Sequence, residues 1–71
     1  MVSDRATQLI DVRGLTPRER QVATLVAKGF DDREIGENLG IDQGTAKNHV
    51  KKIYKKLEVH TRAKLVALLN R

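Results

Sequence analysis

The chain has no cysteine and no tryptophan, and only one proline, one tyrosine and one phenylalanine in 71 residues. Without thiols it can form neither a disulfide framework nor a thiolate zinc site. Its two histidines, His49 and His60, stand eleven residues apart, so a histidine-based metal site would need several carboxylates from elsewhere. No metal and no cofactor are expected. Long apolar runs are missing too, which excludes a membrane-spanning helix. The opening Met-Val-Ser-Asp-Arg lacks the charged-then-apolar layout of a secretion signal, and a cytoplasmic location is expected. A chain this short holds one domain, hides about 60 % of its unfolded surface and leaves little room for a catalytic cleft. No enzyme is expected.

The charge is concentrated in one segment. From Gln43 to Leu57 there are five lysines (Lys47, Lys51, Lys52, Lys55, Lys56) and no acid, whereas the other 56 residues carry nine basic and nine acidic side chains and sum to zero. A one-signed patch on a neutral body builds a directional field, and the commonest cytoplasmic polyanion is nucleic acid. The plainer reading, lysines solvating the outer face of a helix, has to be weighed against the motifs around them.

Apolar residues recur with a period of 3.6, and the chain is expected to be all-α, a compact four-helix domain. Residues 1–14 form a mixed stretch closed by Gly14, a linker or short leading segment, and the domain proper is assigned to 15–71. Thr16 caps the first helix, Pro17 suits its first position and Glu19 completes a capping box. Val22, Ala23, Leu25 and Val26 form the inner side, and Lys28-Gly29 ends it. Asp31 and Glu34 repeat the box for a short helix of about 31–39, with Ile35 and Leu39 as core and Gly40 as terminator. Ile41 is expected to be buried in the turn. Asp42 caps a third helix running to about Leu57, whose apolar positions Ala46, Val50, Ile53 and Leu57 are spaced 4, 3 and 4. Lys47, Asn48, Lys51, Lys52, Lys55 and Lys56 therefore point away from the core. Thr61 caps a final helix reaching about Asn70.

From Asp32 to Lys51 the spacing is that of a helix-turn-helix: short helix, tight turn at glycine, longer helix. Helices crossing steeply need a small residue where they meet, and Gly36 supplies it. Gly40 makes the turn, Ile35, Leu39 and Ile41 anchor the pair, and Ala46 lets the longer helix lie low. Such a pair offers the N-terminal half of its second helix to the major groove, here Gly44, Thr45, Lys47, Asn48 and Lys51. Lysine donates to guanine or phosphate, asparagine can bond adenine with two hydrogen bonds, and threonine can reach phosphate or a thymine methyl. The carboxylate of Asp42 sits at the helix's positive end, so DNA contacts come from the side of the helix.

Leu15-Thr-Pro-Arg-Glu-Arg, Glu34-Ile35, Leu39-Gly40-Ile41, Gly44-Thr-Ala-Lys-Asn-His-Val50 and Lys56-Leu57 together resemble the LuxR-type (GerE-like) DNA-binding domain of bacterial transcription regulators, over about residues 15–70. The resemblance implies a four-helix output module that binds promoter DNA, usually as a dimer, with RNA polymerase a candidate further partner. It implies base contacts from Lys47, Asn48 and Lys51 and phosphate contacts from Thr45, His49 and Lys55; Lys52 and Lys56 join the phosphate set by residue type. Ala23, Gly36 and Ala46 are smaller than is usual in the family, which predicts lost core volume. Lys64 stands where the last capping box usually has an acid.

The last helix holds Ala63-Lys-Leu-Val-Ala-Leu-Leu69, apolar at six of seven positions. Leu65, Leu68 and Leu69 share one stripe and are expected to enter the core. Ala63, Val66 and Ala67 share the other and are expected to form a dimer interface, unless residues 1–14 cover them. A two-fold dimer would need a near-palindromic site with half-sites about one helical turn apart.

Asp31, Asp32 and Glu34 could be imagined as an acid–base pair, but their place at a helix start makes them caps. His60 reads as a surface histidine. Tyr54 is expected to pack near the core with its hydroxyl outward, and Glu19 could hold a lysine or arginine near the DNA face as well as capping. Two alternatives stand beside DNA-regulator output. Region 4 of a sigma factor opens similarly, but the capped apolar fourth helix argues against it. A basic amphipathic helix acting on membranes or protein targets would need bulky residues opposite the charge, where this chain has Ala46, Val50, Ile53 and Leu57.

Overall fold

The computed structural model describes residues 14–71, and four helices make up its architecture: α1 (Pro17–Ala27), α2 (Asp32–Leu39), α3 (Gln43–Leu57) and α4 (Arg62–Leu69). The expected segment 1–14 lies, apart from Gly14, outside the described residues. Each helix begins at a polar cap. The Thr16 hydroxyl accepts from Glu19 N while the Glu19 carboxylate accepts from Thr16 N, and Asp31 and Glu34 make the same reciprocal pair. Asp42 and Thr61 cap α3 and α4 from one side only. With lysine at position 64 the reciprocal bond of a full box is absent from α4.

Every helix contributes a fully buried side chain to one centre: Val22 and Val26 from α1, Ile35 from α2, Ile53 from α3 and Leu65 from α4. Ala23, Ala46 and Val50 are buried between them, and Leu39, Ile41, Tyr54 and Leu57 are half-buried against the same cluster. Ile41 thus packs on the core without being enclosed by it. The first helix touches all three others, and α3 packs on α2 and α1. Three long-range hydrogen bonds, from two residues, tie α4 down. The Arg62 guanidinium donates to Asp32 Oδ1 (3.0 Å) and to the Phe30 carbonyl (2.6 Å), and Asn70 Nδ2 donates to the Ala27 carbonyl (3.1 Å).

At Gly36, an added Cβ would lie 2.7 Å from the carbonyl oxygen of Ile41, closer than real Cβ atoms approach. The Gly36 carbonyl meanwhile accepts from Ile41 N (2.9 Å) and Gly40 N. Glycine here leaves no void, contrary to the expected loss of volume. The turn closes onto its α hydrogens, and α3 starts directly beneath.

The last helix is rotated from its expected setting. Leu65 is buried and Leu69 packs on the core, but the third inward residue is Val66; Leu68 is half-buried at the flank, outside the core cluster. With Leu65, Val66 and Leu69 inward, Arg62 lies on the same side and reaches Asp32. Ala63 and Ala67 remain exposed.

Candidate nucleic-acid interface

The polar positions of α3 fall into two stripes. Gly44, Lys47, Asn48, Lys51 and Lys55 recur at i, i+3, i+4, i+7 and i+11 and share one face. All five are exposed, and none of the three lysines is paired with a carboxylate among the described residues. Thr45, His49, Lys52 and Lys56 recur at i, i+4, i+7 and i+11 and form the second stripe, bordering α1. Lys52 is likewise exposed and unpaired among the described residues.

The two ends of the second stripe, Thr45 and Lys56, are engaged within the protein. The Thr45 hydroxyl donates to Asp42 Oδ2 at 2.6 Å, and Thr45 N donates to the same oxygen at 3.0 Å. Its donors are thereby committed and its position as a phosphate contact is not supported. These bonds, the side-chain one first, hold the Asp42 carboxyl below its ordinary range. Lys56 Nζ folds back to Glu19 Oε1 (2.7 Å) and the Gly14 carbonyl (2.8 Å). The expectation that Lys56 points outward to phosphate is corrected: on this side of α3, α1 presents a carboxylate that is only 3 % exposed, and a buried charge demands a partner. Burial pushes the Glu19 carboxyl up, but the Lys56 hydrogen bond, the Thr16 N–H and the charges of Lys56 and His49 outweigh it, so it stays below the ordinary glutamate range. Glu19 does hold a lysine, as well as capping α1. His49 is half-buried beside it, its Nδ1 buried and without a hydrogen-bond partner.

The acids are distributed to match. Asp31 and Glu34 cap α2, Asp32 holds Arg62, Glu37 holds Arg33 (3.3 Å), Asp42 caps α3 and Glu19 holds Lys56. Of the acids from residue 14 onward, Glu58 is left without such a role. It closes α3 with φ 57 and ψ 46, a left-handed conformation that non-glycine residues rarely adopt. Beside it a shallow groove lined by Lys51, Tyr54, Lys55, Val59 and His60 continues the open face. Sequence reasoning left Glu58 and His60 out of this surface, because only the turn after α3 brings them back beside Lys51 and Lys55. It also gave Arg62 no part, since Arg62 and Asp32 are 30 residues apart.

What the arrangement offers is an open lysine and asparagine face along the side of α3, carried on a body whose acids, Glu58 excepted, are turned to other tasks. No helix among the described residues is long and apolar enough to cross a membrane.

Residues 13–69 match the family described as bacterial regulatory proteins, luxR family. The chain is 42 % identical over 60 residues to the nitrate/nitrite response regulator protein NarL of Escherichia coli strain K12, covering 84 % of this chain and 28 % of that protein. It is 46 % identical over 52 residues to the transcriptional regulatory protein MctR of Rhizobium johnstonii, covering 73 % and 24 %. With the transcriptional regulatory protein DesR of Bacillus subtilis the identity is 42 % over 52 residues, covering 73 % and 26 %. The chain thus spans less than a third of the length of these relatives.

Proposed function

The chain belongs to the luxR family of bacterial regulatory proteins, a family of DNA-binding regulators and not of enzymes, and from that premise we propose that it binds double-stranded promoter DNA sequence-specifically with α3 in the major groove. Lys47, Asn48 and Lys51 read base edges, Lys52 and Lys55 contact phosphates, and His49 lies at the edge of the same surface. The protein serves as the output domain of a cytoplasmic transcription regulator and pairs with a second copy through α4, where Ala63 and Ala67 allow close helix approach. RNA polymerase is a further partner of the assembled regulator.

The observation that carries this reading is the sorting of charge: four lysines on α3 stand without a described carboxylate partner, while six acids are engaged elsewhere. Lysines that merely solvated a helix would gain from acids on neighbouring turns, and α3 has none.

The test is duplex binding as a function of salt. Each neutralised phosphate contributes a slope of about 0.9 in log affinity against log salt, so affinity should fall steeply between low and moderate salt; a flat response removes the proposal. Sedimentation on a duplex carrying two half-sites reports the pairing. Ala67→Glu should leave the monomer folded and abolish two-copy occupancy, and unchanged occupancy would reject α4 as the interface.

A further inference from the structure

Four of the five glycines have a reason within the fold. Gly14, Gly29 and Gly40 adopt φ of +87, +95 and +71, and Gly36 lies under the Ile41 carbonyl. Gly44 has no such reason. It lies in the first turn of α3 without a positive φ, and an added Cβ would meet only the Asp42 carboxylate oxygens, at 3.5 and 3.9 Å, which is ordinary contact. Glycine within a helix is destabilising relative to alanine, so alanine at 44 would firm α3 and disturb nothing around it.

Its position gives the missing reason. Gly44 is exposed and heads the stripe of Lys47, Asn48 and Lys51, at the end of α3 that a recognition helix inserts first. The members of that stripe differ in reach. Lysine has a long flexible stem that can absorb a small change in stand-off, whereas asparagine carries its amide close to the backbone and reads a base only from a deeply seated helix. A methyl group at 44 would add a carbon about 1.5 Å beyond Cα, directed at the duplex. We infer that Gly44 is a specificity-determining residue: its bare Cα is the seat on which the major-groove edge of the DNA closes, and the closeness it allows is what brings Asn48 within hydrogen-bonding distance of a base. This rests on the DNA-binding reading above and extends it to a residue with no side chain.

Gly44→Ala separates this role from folding, because the two readouts move in opposite directions. Sites are first selected from random duplex by the wild-type protein, and the variant is then measured on the selected site and on random duplex. Thermal unfolding should rise by about 4–8 °C. Affinity for the selected site should fall about tenfold, the value of one lost base contact, with random-duplex affinity within about twofold. Repeating the selection with Gly44→Ala should lose the preference at one base position while the positions read by lysine persist, and Gly44→Leu should lose more. A stabilised Gly44→Ala variant that binds the selected site as tightly as wild type, with the same preferences, overturns the inference. A wild-type protein that enriches no sequence overturns the DNA-binding reading itself, before the variant is measured.

Discussion

Lys55 and Lys56 are neighbours in the chain and belong to different parts of the molecule. Lys55 stands on the open stripe of α3, unpaired among the described residues; Lys56 turns toward α1 and closes on Glu19 and the Gly14 carbonyl. The two stripes to which they belong differ at their ends, although Lys52 of the second is as open as the lysines of the first. One is exposed from Gly44 to Lys55, and the other begins with a hydroxyl held by Asp42 and ends with an ammonium held by Glu19. Residue type is therefore a poor guide to a lysine's work, and the helix packed alongside decides it. A count of positive charge overstates the interface by the one cation that the fold keeps for itself.

The largest effect should come from breaking the inner stripe. Glu19→Ala removes half of the α1 capping box and the charge-assisted hydrogen bond from Lys56, and the loss should be about 2–4 kcal/mol in urea denaturation. The same group gives the domain a pH dependence of fixed sign. Its folded pKa lies below the unfolded value, so its stabilisation is complete above the ordinary glutamate range and disappears as pH falls through the folded value. Denaturation midpoints recorded from neutral to acid pH should drop in the wild type and be flatter in Glu19→Gln.

Next come the outer residues. Lys47→Ala and Lys51→Ala should each lose about 1–3 kcal/mol of discrimination at one base position with stability within about 0.5 kcal/mol of wild type. The sharpest contrast lies between the two neighbours. Lys55→Ala should weaken specific and random duplex alike and lower the salt slope by about 0.9, leaving the melting temperature in place; Lys56→Ala should lower the melting temperature and leave the salt slope unchanged. Equal salt slopes for both variants would erase the distinction between the stripes.

The smallest effect belongs to Glu58. Glycine accepts the left-handed C-cap without strain, so Glu58→Gly should stabilise by about 1 kcal/mol in thermal unfolding. Removing a carboxylate beside Lys51 and Lys55 should also tighten duplex binding at low salt.

What was legible in the sequence was local. Thr16 with Glu19, Asp31 with Glu34, and the lone caps Asp42 and Thr61 act on backbone three residues away, so the spacing alone places all four helix starts. The crossing of α2 and α3 was legible for a similar reason, since a glycine four residues before Gly40 points to close approach. The engagement of Lys56 was half legible: a carboxylate on α1 was a candidate partner for a cation, but nothing in the spacing selects Lys56 across a separation of 37 residues. The setting of α4 was misjudged because six apolar residues in seven give the helix no clear polar face. Its rotation is decided by Arg62 reaching Asp32 and by Val66 turning inward, both tertiary matters.

The contact between Gly36 and the Ile41 carbonyl involves main chain alone. At that crossing the support of α3 is consequently independent of the residues on its open stripe, and a different set could be installed from Gly44 to Lys55 while Thr45 and Lys56 keep their ties to Asp42 and Glu19. Operator preference in this scaffold is in that sense exchangeable, a replaceable key blade on an unchanging bow.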